Sequence, residues 1–175
     1  MFTEKKFRFP AFATVLGLLA FFCRYTELIT GKIGNASSFI FLPLVVAVAI
    51  YYGEIIALFY GLFFGLLADT VASGSYCFNT LFLCLAGLVA GVLSEYVFNR
   101  NLQAAIALSV ITAFLYFGLK WVFFFLFPDV QGKMYFLLQY SLPSAFFTSV
   151  LIIPIYFAER FFANKYKNKN KINNI

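Results

Sequence analysis

The sequence predicts an all-α integral membrane protein, built as a bundle of six transmembrane helices. Three observations predict it. Of the 175 residues, 63% are apolar and 11% are charged, where a soluble domain is about half apolar and about a quarter charged. A soluble domain of this length leaves too much chain at its surface to hide that excess. In addition, 26 Phe and 11 Tyr are too many for one water-enclosed core. Second, apolar stretches of span length alternate with short polar turns. Third, the basic residues divide unequally between the two sides that these spans define.

A span needs about 20 predominantly apolar residues, within a range of roughly 17–25. The first is expected from Phe9 to Tyr25. It lacks a small-residue signal-peptidase site, and Cys23 follows Phe21-Phe22 rather than the small residues of a lipoprotein cleavage site, so it reads as a retained helix. Thr26 to Ser38 form a polar connector containing Gly31, Gly34 and Asn35. The second span runs from Phe39 to Tyr52, near the lower length limit, and Gly53-Glu54 supplies a tight turn to the third, Ile55 to Val71. A single helix from Phe39 to Val71 would be too long for the bilayer, and a broken hairpin with short arms is the other reading of that stretch. Ala72-Ser73-Gly74-Ser75 turns into the fourth span, Cys77 to Phe98. Asn99-Arg100-Asn101 turns into the fifth, Leu102 to Phe127, and Pro128 to Lys133 form a loop before the sixth, Met134 to Phe157. The organisation is thus an N-terminal segment over residues 1–8, a transmembrane domain over 9–158, and a basic Lys/Asn-rich tail over 159–175, expected to be disordered.

Lysine and arginine near the span ends set the orientation. With the N-terminus inside, the cytoplasmic side carries nine (Lys5, Lys6, Arg8, Arg100, Arg160, Lys165, Lys167, Lys169, Lys171) and the other side four (Arg24, Lys32, Lys120, Lys133). Both termini are therefore expected in the cytoplasm, which requires an even number of spans and fits six. The basic tail either only fixes topology or also touches anionic headgroups. The lipid bilayer is the expected partner, and no nucleic acid is.

Gly61 and Gly65 form a GxxxG pair in span three, and Gly87 and Gly91 another in span four, widened by Ala86 and Ala90. Such pairs let helix backbones approach closely in lipid. The spacing leaves open whether the partner helix belongs to this chain or to another. Pro143 and Pro154 in span six each free a backbone carbonyl that a neighbour must satisfy, so that span is also expected to pack specifically.

Ionisable residues inside spans are costly and are functional candidates by default. Arg24, Glu27, Asp69 and Lys120 fall toward the outer ends of their helices, and Glu54, Glu95 and Arg100 toward the inner side. The outer four either snorkel separately to the interface, form a mutual ion-pair network, or line an outward pocket. There is no His, which excludes a His-based triad or zinc site. Cys23, Cys77 and Cys84 lack metal-ligand spacing and read as small apolar packing residues. No GxSxG, P-loop or HExxH motif is present, so no catalytic, cofactor or metal site is expected and the chain reads as a non-enzyme.

The stretch Gly61-Leu-Phe-Phe-Gly65-Leu-Leu-Ala-Asp69, then Ser73-Gly74, then Asn79-Thr-Leu81 resembles the bacterial rod shape-determining MreD family. That family has a small-residue span ending in a GLLxD-like segment, then a glycine turn and a second small-residue span. Pro43 upstream, Gly87 and Gly91, the turn Phe98-Asn99-Arg100-Asn101, and Pro143 and Pro154 before a basic tail agree with it. The resemblance extends over most of the chain, and its specific part is Gly61 to Leu81. One position departs: Cys77 stands where the family commonly has glycine, which bears on the geometry of that turn. The resemblance implies a fold similar to the S-component of energy-coupling-factor vitamin transporters. It also implies a place in the cell-elongation machinery of the cytoplasmic membrane. The implied partners are an MreC-like membrane protein and, through it, MreB, RodA and a class B penicillin-binding protein. The alternative is a vitamin-importer S-component, in which Arg24, Glu27, Asp69 and Lys120 would line the ligand pocket and Ala13 and Gly17 would face the transport partner.

Overall fold

The computed structural model describes residues 11–25, 32–33, 36–71, 77–96, 102–127 and 132–161. They are helical apart from one small ladder. The elements are α1 (Ala11–Tyr25), β1 (Lys32–Ile33), β2 (Ala36–Ser37), α2 (Phe41–Tyr52), α3 (Glu54–Val71), α4 (Phe78–Tyr96), α5 (Leu102–Trp121), α6 (Lys133–Phe136), α7 (Leu142–Val150) and α8 (152–161). Three stretches are long and apolar enough to cross a membrane: Phe78–Glu95, Leu102–Leu126 and Met134–Phe161.

The polar connector before α2 carries the small ladder. β1 and β2 pair antiparallel, Lys32 opposite Ser37 and Ile33 opposite Ala36. The expected turns at 72–75, 99–101 and 128–131, residues 1–8, and the tail beyond 161 lie outside the described residues.

The second expected span is the centre of the molecule. All ten residues from Phe41 to Ile50 are buried, and α1, α3, α4, α5 and α7 all touch it. A helix that is apolar on every side has no face for water and belongs in the middle of a bundle. Pro43 sits in its first turn, where a missing N–H costs little. One glycine separates α2 from α3. Gly53 donates its N–H to Ala49 O and accepts from Ala57 N–H, both at 3.1 Å, so it closes one helix and opens the next. Its φ of +93° is a conformation that glycine takes without a Cβ clash.

α3 and α4 form the tightest hairpin. A Cβ on Gly61 would strike the Leu83 carbonyl oxygen, and one on Gly65 the Thr80 Cα. From the other side, a Cβ on Gly87 would lie 2.7 Å from Ala57 O, and one on Gly91 2.8 Å from Glu54 N. The two GxxxG pairs therefore lie at successive points along one antiparallel seam, each against the backbone of the partner helix, and this chain supplies both sides of it. The Cys84 thiol adds a contact to Leu58 O at 3.7 Å.

The last long helix is broken, and its end differs from the expected one. A π-helical turn, Leu137–Ser141, separates α6 from α7. Pro143 lacks the N–H that would bond Gln139, and the wide turn containing Gln139 absorbs that loss. Pro154 likewise frees Val150, where α7 stops. Both prolines face the exterior of the bundle. The helix then runs on through residue 161, past the expected start of the polar tail at 159, because residue 159 packs inward with 0% exposure.

Candidate functional site

At one end of the α3–α4 hairpin, Asp69 lies in the last turn of α3, two residues before its end, and reaches the start of α4. Its Oδ1 accepts the Asn79 backbone N–H at 3.3 Å and the Asn79 side-chain amide at 2.9 Å. Its Oδ2 accepts the Thr80 backbone N–H at 2.9 Å and the Thr80 hydroxyl at 2.6 Å. The first N–H groups of a helix have no partner within it, and a carboxylate there also meets the positive end of the helix dipole. An N-cap residue normally supplies the acceptor. Cys77, just before α4, has no side-chain oxygen and a left-handed backbone, φ +60°. Asp69 supplies the cap from the neighbouring helix instead.

The clamp continues inward. Asn79, 1% exposed, accepts the Tyr116 hydroxyl of α5 on Oδ1 at 2.6 Å. The Lys120 ammonium lies 5.6 Å from the Tyr116 ring centre, a cation–π distance. Phe39 stacks flat on Tyr116, its ring centre 4.6 Å away with 2° between planes, while its N–H donates to the Thr148 hydroxyl of α7 at 3.1 Å. Phe78 and Phe82 close the wall, with ring centres 5.9 and 5.2 Å from Tyr116. One continuous set of contacts thus joins α3, α4, α5, α7 and the chain entering α2. Four donors occupy the lone-pair sites of the Asp69 carboxylate, so its role is that of a fastener.

Of the expected outer group, Asp69 and Lys120 are brought to this site and linked through Asn79 and Tyr116. Arg24 lies in the last turn of α1, its side chain outside the described residues, as is the whole of Glu27. Gly61, Gly65, Gly87 and Gly91 build the hairpin that holds Asp69 against α4. Pro143 and Pro154 lie away from it. Ala13 is fully buried and a Cβ on Gly17 would strike the Phe64 ring, so the small-residue face of α1 is turned into the bundle.

Two features escaped the sequence reading. One is a second small-residue seam between α5 and α7, where Ala105, Ser109, Thr112 and Ala113 meet Ser144, Ala145, Thr148 and Ser149, all buried. The spacing of small residues by four was its signal. The other is Glu159, assigned to the tail but buried at the opposite end of the bundle among Tyr51, Tyr52 and Tyr60. The apolar run on both sides of it was the available sign.

No family model, curated protein or solved structure matches the chain.

Proposed function

We propose that this chain is a six-span, non-enzymatic subunit of the bacterial cytoplasmic membrane, similar to the MreD family. In this reading it helps to maintain rod shape by joining an MreC-like protein, and through it MreB, RodA and a class B penicillin-binding protein. The termini and the Glu54 end of the bundle face the cytoplasm, and the Asp69 end faces outward. The observation that carries the reading is the Asp69 clamp. The same block of residues that bears the resemblance, Gly61 to Leu81, is a built unit in which close helix contact and a saturated carboxylate fix one shape. A scaffold needs a surface of constant form, and the clamp sets the relative position of α3, α4 and α5. The inward-turned Ala13 and Gly17 weigh against the importer alternative, which needs that face free.

The test is depletion in the native host, scored by cell width and by the location of new peptidoglycan. Swollen cells with dispersed wall growth are expected. Normal rods with a new vitamin requirement would overturn the proposal. Co-purification of the MreC-like partner with Asp69→Asn, set against the unaltered chain, then tests whether the clamp is what the partner depends on.

A further inference from the structure

Among the described residues at the other end of the bundle, Glu159 is a wholly buried acid whose burial the fold does not explain. Its side chain is 0% exposed. Among the described residues neither carboxylate oxygen completes a hydrogen bond in good geometry, and the Tyr52 hydroxyl is the polar group close enough to act on it. A buried carboxylate is tolerated when it is paired, coordinates a cation, or is neutralised by one. Among the described residues the groups that face it are hydroxyls. Tyr52 of α2 acts on it directly. Tyr51 of α2 and Tyr60 of α3 feel its charge, and Tyr156, one turn earlier on α8, lies with its ring centre 5.3 Å from that of Tyr51. The Tyr51 hydroxyl is itself buried and lacks a hydrogen bond. Tyr60 is engaged with Thr14 of α1. Arg160, the next residue, is exposed on the outside of the helix. Glu54 opens α3 at this same end, with one buried, unpartnered oxygen, and its backbone packs against Gly91.

We propose that Glu159, with the hydroxyls of Tyr51 and Tyr52, forms a binding site for one small monovalent cation at the end of the bundle opposite Asp69. One carboxylate balances one positive charge. The tyrosine hydroxyls present lone pairs to the same ion, and their rings shield it from lipid. Among the described residues no set of three acidic or thiol ligands gathers here, and a divalent ion takes six or more oxygens and several charges. The ion is a proton or an alkali cation, and both use the same carboxylate. The inference stands independently of the role proposed above.

The experiment uses the full chain in detergent micelles and follows its thermal unfolding midpoint. One series replaces N-methylglucamine by sodium, potassium or lithium at constant ionic strength and fixed pH. A second varies pH from about 5 to 9 in N-methylglucamine alone. A ligand that binds the folded state raises the midpoint, by about 5–10 °C near saturation for a chain of this length. A rise with an alkali ion, absent in Glu159→Gln, identifies the alkali cation. A response to pH alone, absent in the same variant, identifies the proton. A flat midpoint in both series, or a response that survives Glu159→Gln, overturns the proposal. Tyr52→Phe keeps the acid and serves if Glu159→Gln fails to fold. It is expected to shift the responsive concentration, of protons or of alkali ions, by about tenfold, and an unshifted response overturns the assignment to this site.

Discussion

Asp69 and Glu159 are the same functional group at opposite ends of one bundle, and they are treated in opposite ways. Asp69 is half-buried and receives four hydrogen bonds, two of them from the backbone N–H groups at a helix start. Glu159 is wholly buried, and among the described residues neither of its oxygens completes a hydrogen bond, with only the Tyr52 hydroxyl acting on it. Hydrogen bonds to a charged group contribute about 1.5–3 kcal/mol each in net terms, without adding simply, so the clamp offsets the cost of removing the Asp69 charge from water. At Glu159 nothing within the described chain does so. The comparison teaches that a carboxylate in an apolar bundle is read by its donors: a saturated one is architecture, and an open one is the place to test for a bound cation.

The harshest way to break the comparison is to move the clamp without touching its polar atoms. Gly61→Leu places a side chain against the Leu83 carbonyl and wedges α3 from α4, and is expected to cost about 3 kcal/mol or more. Chemical unfolding in micelles measures it. Asp69→Ala comes next. It leaves the Asn79 and Thr80 N–H groups without their cap and is expected to cost about 2–3 kcal/mol, while Glu159→Ala at the other end removes no hydrogen bond. Tyr116→Phe removes one donor to Asn79 and is expected to cost about 1 kcal/mol, much less than additively when combined with Asp69→Ala, since the two act through Asn79. Glu159→Gln sharpens the contrast by reversing its sign: in cation-free buffer at alkaline pH the variant is expected to be more stable than the parent by about 1 kcal/mol, because a neutral isostere removes an unpaired buried charge. The smallest effect belongs to Cys77→Gly. A side chain in the left-handed region costs about 1–2 kcal/mol, partly offset by the greater unfolded freedom of glycine. A net gain of about 0.5 kcal/mol is expected, read as a small rise in the unfolding midpoint.

These two ends were unequally legible in the sequence. Asp69 stood out because it interrupts an apolar run after two glycines spaced by four. Its partners did not, because a cross-helix cap depends on how α3 and α4 dock, and Asn79 and Thr80 carry no sign of it alone. Cys77 marked its turn only through the resemblance, where glycine was expected, and the backbone there takes the form that glycine favours. Glu159 was hidden by its position. It follows the last strongly apolar stretch and precedes Arg160 and a lysine-rich tail, so charge counting moved it outside. The break at Gly53-Glu54 was plain, since glycine and a charge divide a run too long for one span. That α2 would sit at the centre was less plain: apolarity shows that a segment avoids water, and both lipid and neighbouring helices satisfy that.

The central position of α2 bears on how such a chain enters a bilayer. Its 12 residues rise about 18 Å, well short of a hydrocarbon core of about 30 Å. On its own it is too short to be threaded across as a free-standing segment, and both of its ends would strand peptide groups in oil. The five helices that surround it therefore have to arrive before its place is secured. Enclosure of α2 is accordingly a cooperative act that depends on its neighbours, with Gly53 joining it directly to α3. Without α4, α5 and α7, α2 would keep only α1 and α3 of the five helices that cover it.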